Sequence, residues 1–577
     1  MEVKKGKVEH IVHSSKGNAV LLVVVNSMGP YWHYSIVEET VIYALMHFGM
    51  PFRILDLAKE RITADTLKNC AAVILAQNLV GGDLSLEESS MIVEAVKEPG
   101  IGFVSFDNDI RINRAPLIEM FGFERINPHP YATDTIRISK NGHYITEMQS
   151  EGEFHTFDRM LTCISAEIWG EDTIPLAEGI LGREQLIRTR HVTPYSAFEP
   201  INHPLLFITG HGRGRAVQFT INPRVWRKGY YGHARGIDDL FWRSIIWAVK
   251  KPFVANMIPP FISMSMEDCS GRLDFKYVDV CNRYGLKPMP SLFTRLVPQR
   301  LMPVIASQIE GNKAEYSTHA LDYHNLLFGA YGRGPYTKEE YDGIFEQEDI
   351  FWNKIGHRPS PVNRPHLGEW YTESLPYLKE RGRIFFSPAL QPGVLKLDQN
   401  YNEGSWPYDL PTCCYDHLPD DNDFYVFAGG LERGMEDFFT GTTPILRESE
   451  TLDIGKAATN CSMHMTHGLR SGFFGIARFH EQKFTVVSLD QWDEILKNVM
   501  IKISGWEKKP AMLSEIAWYL KNREGTYIKE TDFSEKRLNV MLEGDTSGLS
   551  VSVFRNEEGH VTREFLKPEE NSLEVGC

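Results

Sequence analysis

A chain of 577 residues, 42% hydrophobic and 24% charged, is long enough for three or four domains of about 150 residues and too apolar for wholesale disorder. Its 61 Lys and Arg against 76 Asp and Glu leave a net charge of −15, a field that repels a phosphate backbone and excludes nucleic acid as a partner. The longest apolar run, Ala19–Val25, falls far short of the ~20 residues of a membrane span.

That run reads as a buried first strand rather than a signal peptide. Ser35 and Glu38 have capping-box spacing, Val37, Val41, Leu45 and Phe48 then share a helical face, and Gly49 is the expected C-cap. Arg53–Leu57 and Ala71–Ala76 are the next strands. Ser85 and Glu88 repeat the box before a helix to about Lys97, and Gly102–Phe106 is another buried strand. Strands separated by such helices predict a doubly wound parallel sheet covered on both faces. Eight cysteines without a C-x-x-C pair suit a reducing cytoplasm.

The first strand leading to Gly29-Pro30-Tyr31-Trp32-His33, and the later Gly212–Phe219, resemble the class I glutamine amidotransferase-like superfamily, in particular its trehalose-utilisation-type branch. The resemblance spans roughly residues 18–250, with insertions around 125–195. That superfamily carries a Cys on the sharp turn after a central strand. Here the strand ends Val104-Ser105-Phe106-Asp107-Asn108, without the Cys and without the glycines that a nucleophile elbow needs. Residues 1–252 are therefore expected to be a non-catalytic scaffold or homo-oligomerisation domain. His33 reads as structural. The aromatic and basic stretch Arg224–Lys251 suits either a domain interface or a sugar-stacking wall.

Pro252 and Pro259-Pro260 mark a junction, after which an apolar strand, Phe261–Met266, runs into Glu267-Asp268 and a glycine turn. In a parallel α/β barrel, acids at a strand's C-terminal end lie on the catalytic face. Adjacent strand residues point to opposite sides, so the two acids need different partners. One could bind a metal while the other acts as base. His319 and His324 follow within a turn and a half, and Gly356–Trp370 is a polar loop pinned by prolines. Met463–Gly468 puts His464 and His467 at the end of an expected strand. One Asp and two His with an open position fit a divalent metal such as zinc, activating water.

This order of motifs resembles the polysaccharide deacetylase superfamily of the NodB-homology type over roughly 255–505. The resemblance implies a distorted (β/α)7 barrel over 253–525 as the catalytic domain. It also implies Asp268, His319 and His324 as metal ligands, Glu267 as general base, Arg364 as the arginine that orients it, and His467 as general acid. Two departures stand out. Glu267 replaces an Asp, and its extra methylene would displace a base by about 1 Å, where errors can cost ~10²-fold. The two histidines are five apart where the family has four, so Asp322 or a rotated loop is an alternative ligand source.

Trp406 and Tyr408 sit in a long loop suited to stacking on sugar faces, with Asp409 to accept hydroxyl hydrogen bonds. His366, Glu369 and His464 complete the candidate substrate-binding residues. The acidic loop Asp416–Asp423 reads as a solvated face. Helices are expected over Asp490–Ser504 and Ala511–Asn522, then strands in a small β appendage at about 526–570 and a loose tail through Cys577, together residues 526–577. The function so implied is a metal-dependent hydrolase that removes N- or O-acyl groups from a carbohydrate or related small molecule. A glycoside hydrolase or lyase pairing Glu267 with Glu369 or Asp409, and a non-catalytic carbohydrate-binding protein, are the rival readings.

Overall fold

The computed structural model describes residues 12–29, 31–108, 115–125, 131–163, 166–180, 202–226, 237–329, 334–366, 371–387, 415–418, 421–427, 452–470 and 472–576. The first unit is built on one nine-stranded sheet. Phe52–Asp56, Leu21–Val25, Ala72–Leu75, Gly102–Ser105 and Gly214–Phe219 lie side by side and parallel. Asn202–His211, Ile174–Ile180, Tyr131–Ile138 and Phe154–Cys163 continue the sheet antiparallel. The expected doubly wound parallel sheet is thus only the first half of a mixed one. Along the first strand Leu21, Val23 and Val25 join one core while Leu22 and Val24 join another, which is why the run is apolar throughout.

The helix Leu86–Lys97 starts at the Ser85–Glu88 box as expected. Ser35 is no cap: the preceding helix already runs from Tyr31, through a π turn at Glu38–Ile42, to His47. Inside it the Thr40 hydroxyl donates to the Ile36 carbonyl, the back-bonding open to a hydroxyl residue within a helix. Gly49 does close this helix at φ +61°, where a Cβ would lie 2.2 Å from the Asn256 carbonyl oxygen.

The helix Asp238–Ala248 buries two acids, and Gln149 Nε2 donates to both oxygens of Asp239 at 2.7 and 2.8 Å. Burial pushes the Asp239 carboxyl up to about 6. Its stabilisation is therefore complete below the unfolded value near 3.8 and is lost as pH rises through about 6. Asp239→Asn cannot ionise. In urea melts the stability difference should move in the variant's favour by ~1–3 kcal/mol between pH 4 and 7; a difference flat across that window would contradict the shift.

Among the described residues the second unit carries, in chain order, β1 Phe261–Cys269, β2 Pro288–Phe293, β3 Ser317–Ala320, β4 Val362–Asn363, β5 Phe385–Phe386, β6 Tyr425–Phe427 and β7 Gly475–His480, with Lys509–Pro510 also pairing parallel to β1 and Tyr415–His417 antiparallel to β6. Backbone hydrogen bonds link them as β7-β1-β2-β3 and β4-β5-β6. Phe261, Met289, Val362, Phe385, Phe427 and Ile476, drawn from six of the strands, meet in one core, so both groups face a common axis. Among the described residues the ring is not closed, which corrects the barrel expectation. Between β3 and β4 Ser317 Oγ donates to the Val362 carbonyl at 2.7 Å, and just before them Ser360 N donates to the Tyr316 carbonyl at 2.6 Å.

The segment expected to be a strand at His464 and His467 is the helix Ile454–Arg470. Ala457, Ala458, Cys461, Met465 and Leu469 are buried at helical spacing. Helices Leu489–Lys502 and Leu513–Glu524 match expectation. The C-terminal strands are not a free appendage. Tyr527–Ser534 pairs with Lys16–Gly17, and Val551–Glu557 pairs with Phe253–Ala255, so backbone pairing ties them to both preceding units.

Candidate metal centre

The two acids end β1 on a bulge. Asp268 has φ +55° and the pairing with β2 slips between Met266 and Cys269. A left-handed residue re-aims a strand's last side chains, so the strict opposition expected of adjacent residues is relaxed. Both acids find partners in one segment just after β4: Arg364 for Glu267 and His366 for Asp268. Buried Glu481 fixes the turn beyond, accepting from Ser270 N at 2.6 Å, from Gly271 N, and from Tyr277 OH at 2.6 Å.

Three atoms converge behind this bulge. His319 Nε2 and His366 Nδ1 each lie 3.1 Å from Asp268 Oδ1, and 3.0 Å from one another. Despite these contacts the buried Asp268 Oδ1 accepts no hydrogen bond. His319 Nδ1 is engaged with the Arg364 carbonyl at 2.6 Å, which as donor leaves the Nε2 lone pair facing Asp268. A backbone partner of this kind is how metal-ligating imidazoles are oriented. A triangle of ~3 Å sides has its centre ~1.8 Å from each corner, so an ion ~1 Å above the plane would sit ~2.0–2.1 Å from all three, the distance range of zinc. The donor set therefore fits a divalent ion.

Gln482 Nε2 donates to the other Asp268 oxygen at 2.7 Å. Phe293 packs against both imidazoles at 5.5 and 5.1 Å between centroids.

Glu267 Oε1 accepts from Arg364 Nε at 2.9 Å and Nη2 at 2.6 Å, and Arg478 Nε of β7 lies at 3.0 Å. Its other oxygen has His480 Nε2 at 3.7 Å. Burial works to raise this carboxyl too. The guanidiniums of Arg478 and Arg364, then His319 and His480, override it and hold the group strongly below its ordinary value. Ser387 Oγ accepts from Arg364 Nη1 at 3.3 Å, and Asn363 Nδ2 pins the segment to the Arg383 and Phe385 carbonyls.

The structure thus brings Glu267, Asp268, His319 and Arg364 together and adds His366, expected only to contact substrate. His324 stays outside the cluster. β3 ends at Ala320 and the following turn leaves His324 exposed, its N–H donating to Asp322 Oδ1 at 2.9 Å. Asp322 is itself taken up by Arg295 and Asn325. His467 lies on the helix Ile454–Arg470, its side chain outside the described residues, with half-buried His464 on the same helix. Glu369, Trp406, Tyr408 and Asp409 also lie outside the described residues, as do the carboxyl pairs that the glycosidase reading needs. Ser105 is fully buried and its hydroxyl has no hydrogen-bond partner. Sequence reasoning missed Arg478, His480 and Gln482. The signal was there: Gly475–His480 is a short apolar strand that ends in a polar cluster, as β1 does.

No protein-family model matches the chain, and no curated protein matches it. Solved structures do. A peptidoglycan N-acetylglucosamine deacetylase, crystallised with an N-hydroxybenzamide, aligns over 46% of this chain and 91% of its own at 13% identity and a TM-score of 0.27. A family 4 carbohydrate esterase from Streptomyces lividans, in complex with acetate, aligns over 44% and 93% at 10% identity and 0.25. A polysaccharide deacetylase from Bacillus cereus aligns over 44% and 93% at 13% identity and 0.25. Among the described residues no helix is long and apolar enough to cross a membrane.

Proposed function

We propose that the protein is a metal-dependent hydrolase that removes N- or O-acyl groups from a carbohydrate, with Asp268, His319 and His366 holding the ion. The observation that carries this reading is the 3.0–3.1 Å triangle around an Asp268 oxygen that takes no hydrogen bond. When bound, a divalent ion would supply a Lewis acid toward the acyl carbonyl and toward water.

The chain's own groups do the rest. Glu267 Oε1 is saturated by two arginines, so Oε2 is the atom left to take the proton of attacking water. Arg364 and Arg478 keep that carboxylate ionised and aimed. His480, at the end of the neighbouring strand, is the group assigned to hand a proton to the departing amine or alcohol, since its Nε2 faces Glu267. The first unit is assigned no chemistry; Ser105 is sealed in its core.

The test is acetate release from N- and O-acetylated sugars by protein as purified, after chelation, and after reloading with zinc. Release should fall by at least ~100-fold on chelation and return with the metal. Release indifferent to chelation would remove the metal from the mechanism.

A further inference from the structure

Beside the three candidate ligands stands an aromatic ring with no assigned role. Tyr323 is 44% exposed, whereas Phe293 beneath it is completely buried. Their centroids are 4.4 Å apart, and the Tyr323 ring lies 6.3 Å from the His366 ring. Among the described residues it is the one exposed large side chain whose ring meets a candidate ligand ring.

Its position is fixed from two sides. Below, Gln482 Nε2 donates to the Tyr323 hydroxyl at 3.3 Å and to Asp268 Oδ2 at 2.7 Å, so one amide spans the rim and the acid of the centre. Around it, residues 321–325 form a tight turn: Leu321 N donates to the Asn325 carbonyl at 2.9 Å, and Asp322 accepts from the N–H groups of His324 and Asn325. Arg295 Nη1 locks the same carboxylate at 2.8 Å. Packing on Phe293 and the Gln482 contact restrict the ring before any ligand arrives, and such restriction is what makes an aromatic platform effective.

We propose that Tyr323 is the platform on which a pyranose ring of the substrate stacks, with Gln482 as the positioning residue that keeps platform and centre in register. A sugar presents an apolar C–H face and a polar hydroxyl rim. The half-exposed ring suits the first, and its distance from His366 places an acyl arm on that sugar within reach of the candidate metal ligands. This inference rests on the acyl-hydrolase reading for its orientation, but sugar binding can be measured without turnover.

The experiment titrates N,N′-diacetylchitobiose and cellobiose into chelated full-length protein by calorimetry, with metal content after reloading as a folding control. Wild type should bind at least one of the two. Tyr323→Ala should weaken that binding about tenfold, the equivalent of ~1.4 kcal/mol, while reloading with a full complement of zinc. Tyr323→Phe, which keeps the ring, should bind within about twofold of wild type. Equal binding by Tyr323→Ala and wild type, or no saturable binding of either disaccharide by wild type, overturns the platform even if acetate release proves metal-dependent. Tyr323-dependent binding without any acetate release would instead retain the platform and remove the hydrolase.

Discussion

Substitution of His366 by alanine should strip the protein of its divalent ion, while His324→Ala should leave about one ion per chain. His366 Nδ1 completes the triangle with Asp268 and His319, and His324 is an exposed turn residue outside it. Disturbing a partner one shell further out already costs ~10–100-fold in metal affinity, so loss of a direct ligand should exceed ~100-fold. Mass-spectrometric metal content after dialysis, followed by competition with a chromophoric chelator, measures both variants. Retention of metal by His366→Ala, or its loss from His324→Ala, would return the site to the paired-histidine arrangement.

Glu267→Gln should lower the turnover number by ~10²–10⁴-fold, the usual contribution of a positioned general base, with metal content unchanged. It should also lower thermal stability, because Arg364 and Arg478 would be left around a neutral amide; uncompensated buried charge costs ~3–5 kcal/mol. The sign of the pH dependence follows from the depressed carboxyl. Its stabilisation is in place above the ordinary glutamate value near 4.5 and drains away as the solution is acidified below that. Wild type and variant should therefore converge in stability in acid and diverge toward neutrality. A second change, Arg478→Leu, should recover part of the lost stability in the double variant, since it removes one of the stranded charges. Unchanged turnover in Glu267→Gln would move the base elsewhere.

Much of this architecture can be read from residue order. The apolar run at Ala19–Val25, the box at Ser85–Glu88 and the strand ending in Glu267-Asp268 each declare themselves within a few residues, because their signals are local: unbroken apolarity, capping and a glycine turn. The centre does not. His319 and His324 look paired because they are close in sequence, yet the ligand atom that meets Asp268 comes from His366, beyond an intervening helix and strand. Proximity across neighbouring strand ends is a tertiary property. The bulge at Asp268 is equally silent, since nothing in Met266–Cys269 forces a left-handed residue; Glu481, more than 200 positions later, accepts from the turn's N–H groups and holds it. His464 and His467, expected at the end of a strand, lie instead on a seventeen-residue helix whose buried face is set mostly by residues outside Met463–Gly468.

The pairing of Lys16–Gly17 with Tyr527–Ser534 bears on how the molecule is made. The partners of Lys16 and Gly17 are Glu530 and Thr531, so more than 500 further residues must be synthesised before this contact can form. The same holds for Phe253–Ala255, which waits for Val551–Glu557. Until then both unpaired edges are available to other chains, and so remote a closure is slow. Dissecting the protein into fragments at residues 252 and 525 would strand these edges permanently. Residues 16–576 therefore belong together in one expressed chain.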